Sequence, residues 1–456
     1  MRSAKLTLGL LTAGALFGAD VVVVPGDPAG QGFNDPTPAT PVGGNPGTTL
    51  GQQALNVFQR AANIWGGKLV SKQPILVIAF FTPLSCTATS GVLGAAGANW
   101  YFSDIPKANG GQDLKAATWY PAALAEKLTL QDIVVDPTDP FEIFTLFNSR
   151  LGQPGCLTNI GWYYGLDNNE PANRIDLLSV VLHEFGHGLG FSVGPTNAST
   201  GAHAQGQASI WESDMRDLTT GKQWVGMTNA ERAASARRDG LLVWTGRSVT
   251  NVIPSTLDFR LEIESSLGTA EAWQSALGGG FAGQRSGTLV APNDGGGVSP
   301  RDGCQAFPVV ANIAGNFLLV DRGNCTFVQK AINAQNAGAA GLVIANNAAG
   351  PLVITVTDPA VTIPIAGVTT ATGNALRAAA PLAARIQRNP LIRVGTTGGF
   401  ARLYAPTAFA GGSSVSHWDT SLTPSMLMEP FITNALGSNV RNPDDLSLNL
   451  LKDIGW

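Results

Sequence analysis

The sequence contains the stretch His183-Glu184-Phe185-Gly186-His187-Gly188-Leu189-Gly190-Phe191, whose spacing is that of a metal-binding helix. Residues four apart lie on one helix face, a turn from each other, so the two histidines can hold one zinc ion. Glu184, next to the first histidine, is placed to take the proton from a zinc-bound water. The spacing therefore predicts a helical Zn²⁺ site with a hydrolytic function.

The surrounding residues favour a helix at about 174–189. Asp176 to Leu182 is a largely apolar, helix-compatible run, and Gly190 can end the helix through a left-handed cap. Gly186 and Gly188 each cost a helix about 1 kcal/mol relative to Ala. We therefore expect another part of the chain to pack closely against the helix backbone at these two glycines.

Length and composition narrow the class of protein. The chain has 456 residues, enough for about three domain-sized units. Only 13% of the residues are charged and 55 are Gly, a composition that suits a loop-rich extracellular protein. The net charge of −4 argues against nucleic acid as a partner.

Residues 1–19 resemble a secretory signal. Arg2 and Lys5 form its positive end, Leu6 to Phe17 its apolar core, and Gly18-Ala19 a small-residue cleavage site. A membrane anchor is the weaker interpretation, because this apolar run is short and no later segment reaches spanning length. We expect a secreted, extracellular protein without a membrane span after signal cleavage.

Four cysteines in an exported chain usually form two disulfides. Cys86 and Cys156 lie in the first part of the chain, and Cys304 and Cys325 in a later part, so pairing within each part is expected. No cysteine precedes position 86. The lead-in at 20–49 therefore cannot keep a zinc site latent by offering it a thiolate.

Hydrophobic patterns and capping residues predict further elements in the first part. They are a helix at about 50–65 after Thr49-x-x-Gln52, a buried strand at 74–81, strands near 131–135 and 141–147, and a short helix from Thr228 to about Arg238.

The pattern of predicted helices and strands changes from about residue 255. A strand at 317–320, a helix carrying Phe327 and Ala331 and closed by Gly338, and a strand at 341–347 form a βαβ unit with a parallel strand pair. The run LVDRGNCTFVQKAINAQNAGAAGLVIANN at 319–347, with TIPIAGV at 362–368, resembles the protease-associated (PA) domain. The resemblance covers about 255–400. It implies a non-catalytic module that controls access to a neighbouring active site or is a passive insertion.

A hydrolytic zinc site needs a third protein ligand and an open position for water. Metzincins supply that ligand in HExxHxxGxxH; here Gly190 matches the glycine, but Val193 replaces the last histidine. The remaining candidates are His203, Glu212 and His417. His203 lies in a flexible stretch of small residues, whereas His417 is followed by an aromatic residue, a carboxylate and a Pro/Met turn that favour a rigid ring.

Three segments together resemble leishmanolysin-type metallopeptidases: the zinc helix with its GLGF continuation, the SHWD segment at 416–419 and the LMEP segment at 427–430. The resemblance implies His183, His187 and His417 as zinc ligands, Glu184 as general base, and Met428 as the floor beneath the metal, with Met426 as a possible substitute. Gly190-Phe191-Ser192-Val193-Gly194 also spells the G-x-S-x-G motif of serine hydrolases. That motif needs a preceding strand and a following helix. Here a helix precedes it and Pro195 follows it at once, so we reject the serine-hydrolase interpretation.

The predicted fold class is α+β. A zincin-like, metzincin-type catalytic domain in two segments, about 20–254 and 401–456, carries an inserted α/β PA-like domain at 255–400. The predicted function is that of a secreted zinc-dependent endopeptidase acting on protein or peptide substrates. The alternative is an exported zinc-binding protein that has lost catalysis and acts through its PA-like domain as a binding module. The intact Glu184 favours the enzyme.

Overall fold

The computed structural model describes residues 18–281, 283–308, 312–348, 350–432 and 436–456. Most of the predicted signal, residues 1–17, lies outside the described residues. Within the described part of the chain, no helix is both long enough and apolar enough to cross a bilayer.

The described chain has a mixed α and β fold. The α-helices of the described residues are α1 Leu50–Gly66, α2 Ala122–Thr129, α3 Leu177–Gly188, α4 Asn229–Ser235, α5 Arg247–Thr256, α6 Phe327–Asn336, α7 Thr370–Ala379 and α8 Ser447–Ile454. The strands up to residue 257 are β1 Val21–Pro25, β2 Ile75–Thr82, β3 Gly94–Ala98, β4 Tyr101–Phe102, β5 Thr118–Pro121, β6 Ile143–Asn148, β7 Gly161–Tyr163, β8 Arg174–Asp176, β9 Ala208–Ser209, β10 Met215–Asp217 and β11 Leu242–Trp244. The later strands are β12 Phe259–Ser265, β13 Gly268–Gln274, β14 Arg285–Val290, β15 Phe317–Asp321, β16 Gly341–Ala345, β17 Ile365–Val368, β18 Leu382–Arg393, β19 Thr396–Thr397 and β20 Phe400–Arg402.

The first sheet has the order β1-β2-β6-β3. Strands β1, β2 and β6 are parallel, and β3 pairs with β6 antiparallel at the sheet edge. The predicted strands at 74–81 and 141–147 are confirmed as β2 and β6, and the helix at 50–65 as α1. Helices α1 and α3 pack against each other, and α3 also packs against β3. This packing sets the histidine-bearing helix beside a free strand edge.

The predicted strand at 131–135 is wrong. The backbone N–H groups of Ile133 and Val134 both donate to Oε1 of Glu126, at 2.9 and 3.0 Å. Val135 is 77% exposed. A buried carboxylate thus satisfies the backbone of this apolar run in place of a neighbouring strand. Helix α4 is present after the Thr228 capping box but ends at Ser235, short of Arg238.

Residues 259–393 form a closed barrel of seven strands in the order β12-β13-β17-β16-β15-β14-β18. The predicted βαβ unit is confirmed as β15, α6 and β16, with the two strands parallel. Gly338 follows α6 with a φ of +79°, the left-handed conformation expected of a closing glycine.

Three clusters of apolar side chains form the interior. Two of them belong to the barrel. The third joins residues from 19–257 with residues from 401–454, so the two outer stretches of the chain share one core. Domain limits at about 254 and 401 stay a prediction.

The cysteines form two disulfides, Cys86–Cys156 and Cys304–Cys325. Both pairs agree with the predicted pairing within each part. No bridge joins the barrel to the rest of the described chain.

Candidate metal centre

Local sequence determines where helix α3 begins and ends. It begins at Leu177, later than the predicted 174, because Asp176 acts as N-cap and accepts a hydrogen bond from the backbone N–H of Ser179 at 3.0 Å. It ends in a Schellman motif: the N–H of Phe191 donates to the carbonyl of Gly186 at 3.0 Å. Gly190 has a φ of +115°, as the predicted left-handed cap requires.

The structure brings together His183 and His187 from α3 with His417 from a loop 230 residues further along the chain. Their Nε2 atoms lie 3.1, 3.1 and 3.2 Å apart. Three nitrogens bound tetrahedrally to one zinc ion are separated by about 3.3 Å. The spacing of the three rings therefore fits a single zinc ion.

Each ring is oriented by its other nitrogen. The Nδ1 atoms contact backbone carbonyl oxygens: His183 with Leu427 at 2.7 Å, His187 with Phe191 at 2.7 Å, and His417 with Ser413 at 2.8 Å. A carbonyl oxygen only accepts, so each Nδ1 carries the proton and each Nε2 presents its lone pair. This arrangement is typical of metal-binding histidines.

Burial keeps the three rings neutral. It lowers the pKa of His183 to about 4 and that of His187 to about 3, and it lowers the pKa of His417 well below its usual value. Zinc binds the unprotonated imidazole, so no ring has to lose a charge at neutral pH before it binds. The donor set, its tautomers and its spacing all fit Zn²⁺.

Glu184 lies beside this centre and is only 6% exposed. Burial raises the pKa of its carboxyl group to about 8. A divalent cation nearby would favour the ionised form and lower that pKa. Its carboxylate packs against β3: a methyl group on Gly94 would lie 2.7 Å from Oε1 of Glu184.

Met428 lies directly against helix α3. A methyl group on Gly186 would come within 2.6 Å of Sδ of Met428. A methyl group on Gly188 would come within 2.2 Å of Cγ2 of Ile143 on β6. The expectation that both glycines permit close packing against the helix is confirmed.

We expect Gly186→Ala to weaken zinc binding. The added methyl group displaces Met428, whose turn carries the Leu427 carbonyl that orients His183. Overpacking costs about 1–3 kcal/mol, partly offset by about 1 kcal/mol of helix propensity. The matched control is Gly188→Ala, which clashes with β6 but not with the turn. Thermal unfolding should show both variants destabilised, and chelator competition should show weaker zinc binding in the first only; equal affinities would contradict the role of the turn.

Backbone hydrogen bonds join the third histidine to the Met428 turn. The N–H of Trp418 donates to the carbonyl of Met428 at 2.8 Å, and the N–H of Tyr404 donates to the carbonyl of His417 at 2.9 Å. Met426 is also buried, but its backbone bonds Glu429: its N–H donates to Oε1 of Glu429 at 2.9 Å, and its carbonyl accepts from the N–H of Glu429 at 3.1 Å. The structure thus places Met428, rather than Met426, against the zinc helix.

The rival third ligands pair with each other. Nε2 of His203 lies 2.7 Å from Oε2 of Glu212, whose side chain is fully buried. The other carboxylate oxygen accepts hydrogen bonds from the hydroxyl of Thr196 at 2.6 Å and the N–H of Ser209 at 3.0 Å. Neither residue belongs to the histidine cluster.

A cleft of about 980 Å³ lies over the three imidazoles. Its walls come from residues 90–96, α3, the stretch 192–199, residues 409–417 and 429–432, and Leu436. Ser192 of the rejected G-x-S-x-G stretch lines the cleft but sits in a loop after a helix, which is not the geometry of a nucleophile elbow.

Sequence reasoning missed the groups that support the centre. Oδ2 of Asp445 accepts a hydrogen bond from the N–H of Leu427 at 2.6 Å, and Glu429 accepts one from Met426. Both carboxyl groups are buried, which raises their pKa values. No spacing pattern links these residues to the zinc helix, and the backbone carbonyls that orient the histidines leave no mark in a sequence.

Comparison with known proteins bears on the barrel. The PA-domain family matches residues 285–376. The chain contains a PA domain. Signal peptide peptidase-like 2 of Arabidopsis thaliana is 47% identical over 50 residues, 11% of this chain and 9% of that protein. Leucine aminopeptidase 2 of Trichophyton rubrum is 42% identical over 55 residues, 12% of this chain and 11% of that protein. The chain thus spans about a tenth of the length of these relatives.

Two solved structures show a limited likeness beside the PA-domain match. A zinc aminopeptidase from Bacillus subtilis is 21% identical, with 31% of this chain and 36% of that chain covered and a TM-score of 0.23. An aminopeptidase from Aneurinibacillus sp. strain AM-1 is 17% identical, with 44% and 45% covered and a TM-score of 0.22. Scores this low do not establish a common fold, so the metal centre is interpreted from its own geometry.

Proposed function

We propose that this protein is a secreted zinc-dependent endopeptidase with a zincin-like, metzincin-type catalytic part related to leishmanolysin-type enzymes. The observation that carries the proposal is the convergence of His183, His187 and His417 with Glu184 beside them. The Met428 turn against α3 and the peptidase names of both curated relatives support it. The two disulfides suit an oxidising, extracellular environment.

In this proposal the protein residues divide the work of peptide-bond hydrolysis. The three rings would hold zinc, which would supply a Lewis acid for the scissile carbonyl and for the attacking water. Glu184 accepts the proton of the attacking water and then delivers it to the leaving amine. The carbonyls of Leu427, Phe191 and Ser413 keep the imidazoles aligned throughout, because they hold Nδ1 and not the metal-facing nitrogen.

The cleft suits an extended peptide. In the described chain β3 pairs only with β6, so its other edge offers backbone donors and acceptors to a substrate strand. Gly94 of that strand touches Glu184, which places the edge next to the general base. Apart from Glu184, the carboxylate lining the cleft is Glu429, and it is engaged by the N–H of Met426. This geometry favours cleavage within a chain over capture of a free α-amine.

The test uses an internally quenched peptide with both ends blocked, compared with an amino-acid anilide that has a free α-amine. We expect the purified protein to cleave the blocked peptide, to lose this activity with a zinc chelator, and to recover it with added Zn²⁺. Cleavage of the anilide alone would replace the endopeptidase proposal with an aminopeptidase. Activity unaffected by the chelator would rule out the zinc mechanism.

A further inference from the structure

The PA domain does not form a wall of the catalytic cleft. None of the described residues that line the cleft comes from the barrel strands at 259–393. A role as a lid over the metal centre therefore has no support in the contacts. The barrel instead contacts the chain between His417 and Met428, at residues that do not line the cleft.

Strand β13 makes two contacts outside the barrel, one with this stretch and one with Arg402. Nε1 of Trp273 donates to the carbonyl of Ser421 at 3.2 Å, and Oε2 of Glu271 accepts from Nη2 of Arg402 at 2.9 Å. Alternate residues of a strand face opposite sides, and Ala272 between these two belongs to a barrel core. Trp273 belongs to neither barrel core, yet it is only 4% exposed. Its indole N–H instead reaches Ser421, outside the barrel.

The same segment is held at further points. Nη1 of Arg402 donates to Oγ of Ser421 at 3.3 Å, and the carbonyl of Arg402 accepts from the N–H of Asp419 at 3.1 Å. The N–H of Asp258, at the start of the barrel, donates to the carbonyl of Thr423 at 2.8 Å. The segment from Asp419 to Thr423 is thus held by Arg402 at one end, by Trp273 at Ser421, and by Asp258 at the other end.

This segment separates two parts of the metal centre by a few residues. His417 lies two residues before Asp419, and the turn that orients His183 begins after Thr423. The hydrogen bond from Trp418 to Met428 closes the segment into a loop. A displacement of Ser421 therefore moves the third ligand and the Met428 turn together.

We infer that Glu271 and Trp273 of the barrel are positioning residues for the metal centre, acting through the 419–423 segment. The inference rests on the proposed zinc function. The barrel preorganises His417 and the turn, so the loop does not have to be ordered when zinc binds. The PA domain is then neither a lid nor a passive insertion.

The variants Glu271→Gln and Trp273→Phe test this inference in the full chain. The first keeps the shape of the side chain but removes the charge facing Arg402, and the second removes the N–H donor. We expect zinc affinity to fall about tenfold in each, at the lower end of the effect of residues that support metal ligands. Activity should return at saturating Zn²⁺, which would not happen if the variants had merely lost folded protein.

The matched control is Glu264→Gln. Glu264 lies on the neighbouring strand β12 and pairs with Arg385 of β18. Both residues belong to the barrel, so the same chemical change leaves the 419–423 segment untouched. Hydrogen exchange should be faster at 413–428 in the two test variants and unchanged there in the control. Exchange at 317–345 should be unchanged in all three.

A measurement on the unmodified protein gives an independent check. Coupling is reciprocal, so Zn²⁺ binding to the wild-type chain should slow exchange in β13 as well as at 413–428. Zinc affinities and exchange equal to those of the control, with no zinc effect on β13, would overturn the inference. A wild-type chain that binds no zinc would instead overturn the proposed function itself.

Discussion

Glu184→Gln is expected to abolish proteolysis while leaving about one zinc ion bound per chain. The amide keeps the size of the side chain but cannot accept the proton of the attacking water. General-base catalysis typically contributes 10²- to 10⁴-fold, so the rate on a blocked peptide should fall by about that factor. Metal content measured after gel filtration and turnover of the quenched peptide check the two halves of this result.

Glu184→Gln is also expected to change the thermal stability of the metal-free chain. Burial raises the pKa of Glu184 to about 8, so the folded, metal-free chain disfavours its ionised form. Above that pH the carboxylate is ionised at a cost that Gln avoids. The metal-free variant should therefore unfold at a higher temperature than the wild type at pH 9, and the gap should shrink as the pH falls below 8. Retained proteolysis in Glu184→Gln would overturn the assigned mechanism, whereas a wild type as inactive as the variant would favour the non-catalytic binding module.

His417→Ala is expected to lose zinc and activity together. Two histidines from one helix turn leave the coordination of a catalytic zinc site incomplete, since such a site uses three protein ligands. Loss of a residue that merely supports a ligand costs about 10- to 100-fold in affinity, so loss of the ligand itself should cost more than about 100-fold. Competition with a chromophoric chelator measures this change directly.

The control for that experiment is His203→Gln, a histidine that the structure places outside the cluster. Glutamine can still donate a hydrogen bond to Glu212, so the buried carboxylate keeps a partner. This variant should keep its zinc and its activity. If His417→Ala bound zinc as tightly as the wild type, the relation to leishmanolysin-type enzymes would fail at its most specific residue.

Local patterns were sufficient for several features. The face shared by His183 and His187 follows from helix periodicity, and the end of α3 just before Gly190 follows from backbone conformation. The βαβ unit of the PA domain could be predicted because an apolar strand, a helix and a second strand each carry their own signal. These interactions span a few residues, so neighbouring residues in the sequence are enough to predict them.

Local pattern failed where a side chain outside a segment accepted the hydrogen bonds of the segment's backbone. The run at 131–135 has the composition of a strand, but the carboxylate of Glu126 satisfies its N–H groups. A strand requires a neighbouring strand as its partner, and no local sequence shows whether one is present.

The choice among the third ligands needed the tertiary structure. From sequence alone, each of His203, Glu212 and His417 is a possible third ligand. Only the tertiary structure shows that the first two bind each other and that His417 lies beside the histidines of the zinc helix. The carbonyls that orient the histidines, and the contacts of Glu271 and Trp273, are likewise visible only in the tertiary structure. Residue types and spacing specify the helix that starts the site, because its geometry is set within four residues. Contacts across 230 residues complete the site, because they depend on how separate layers pack, and packing is a property of the whole fold.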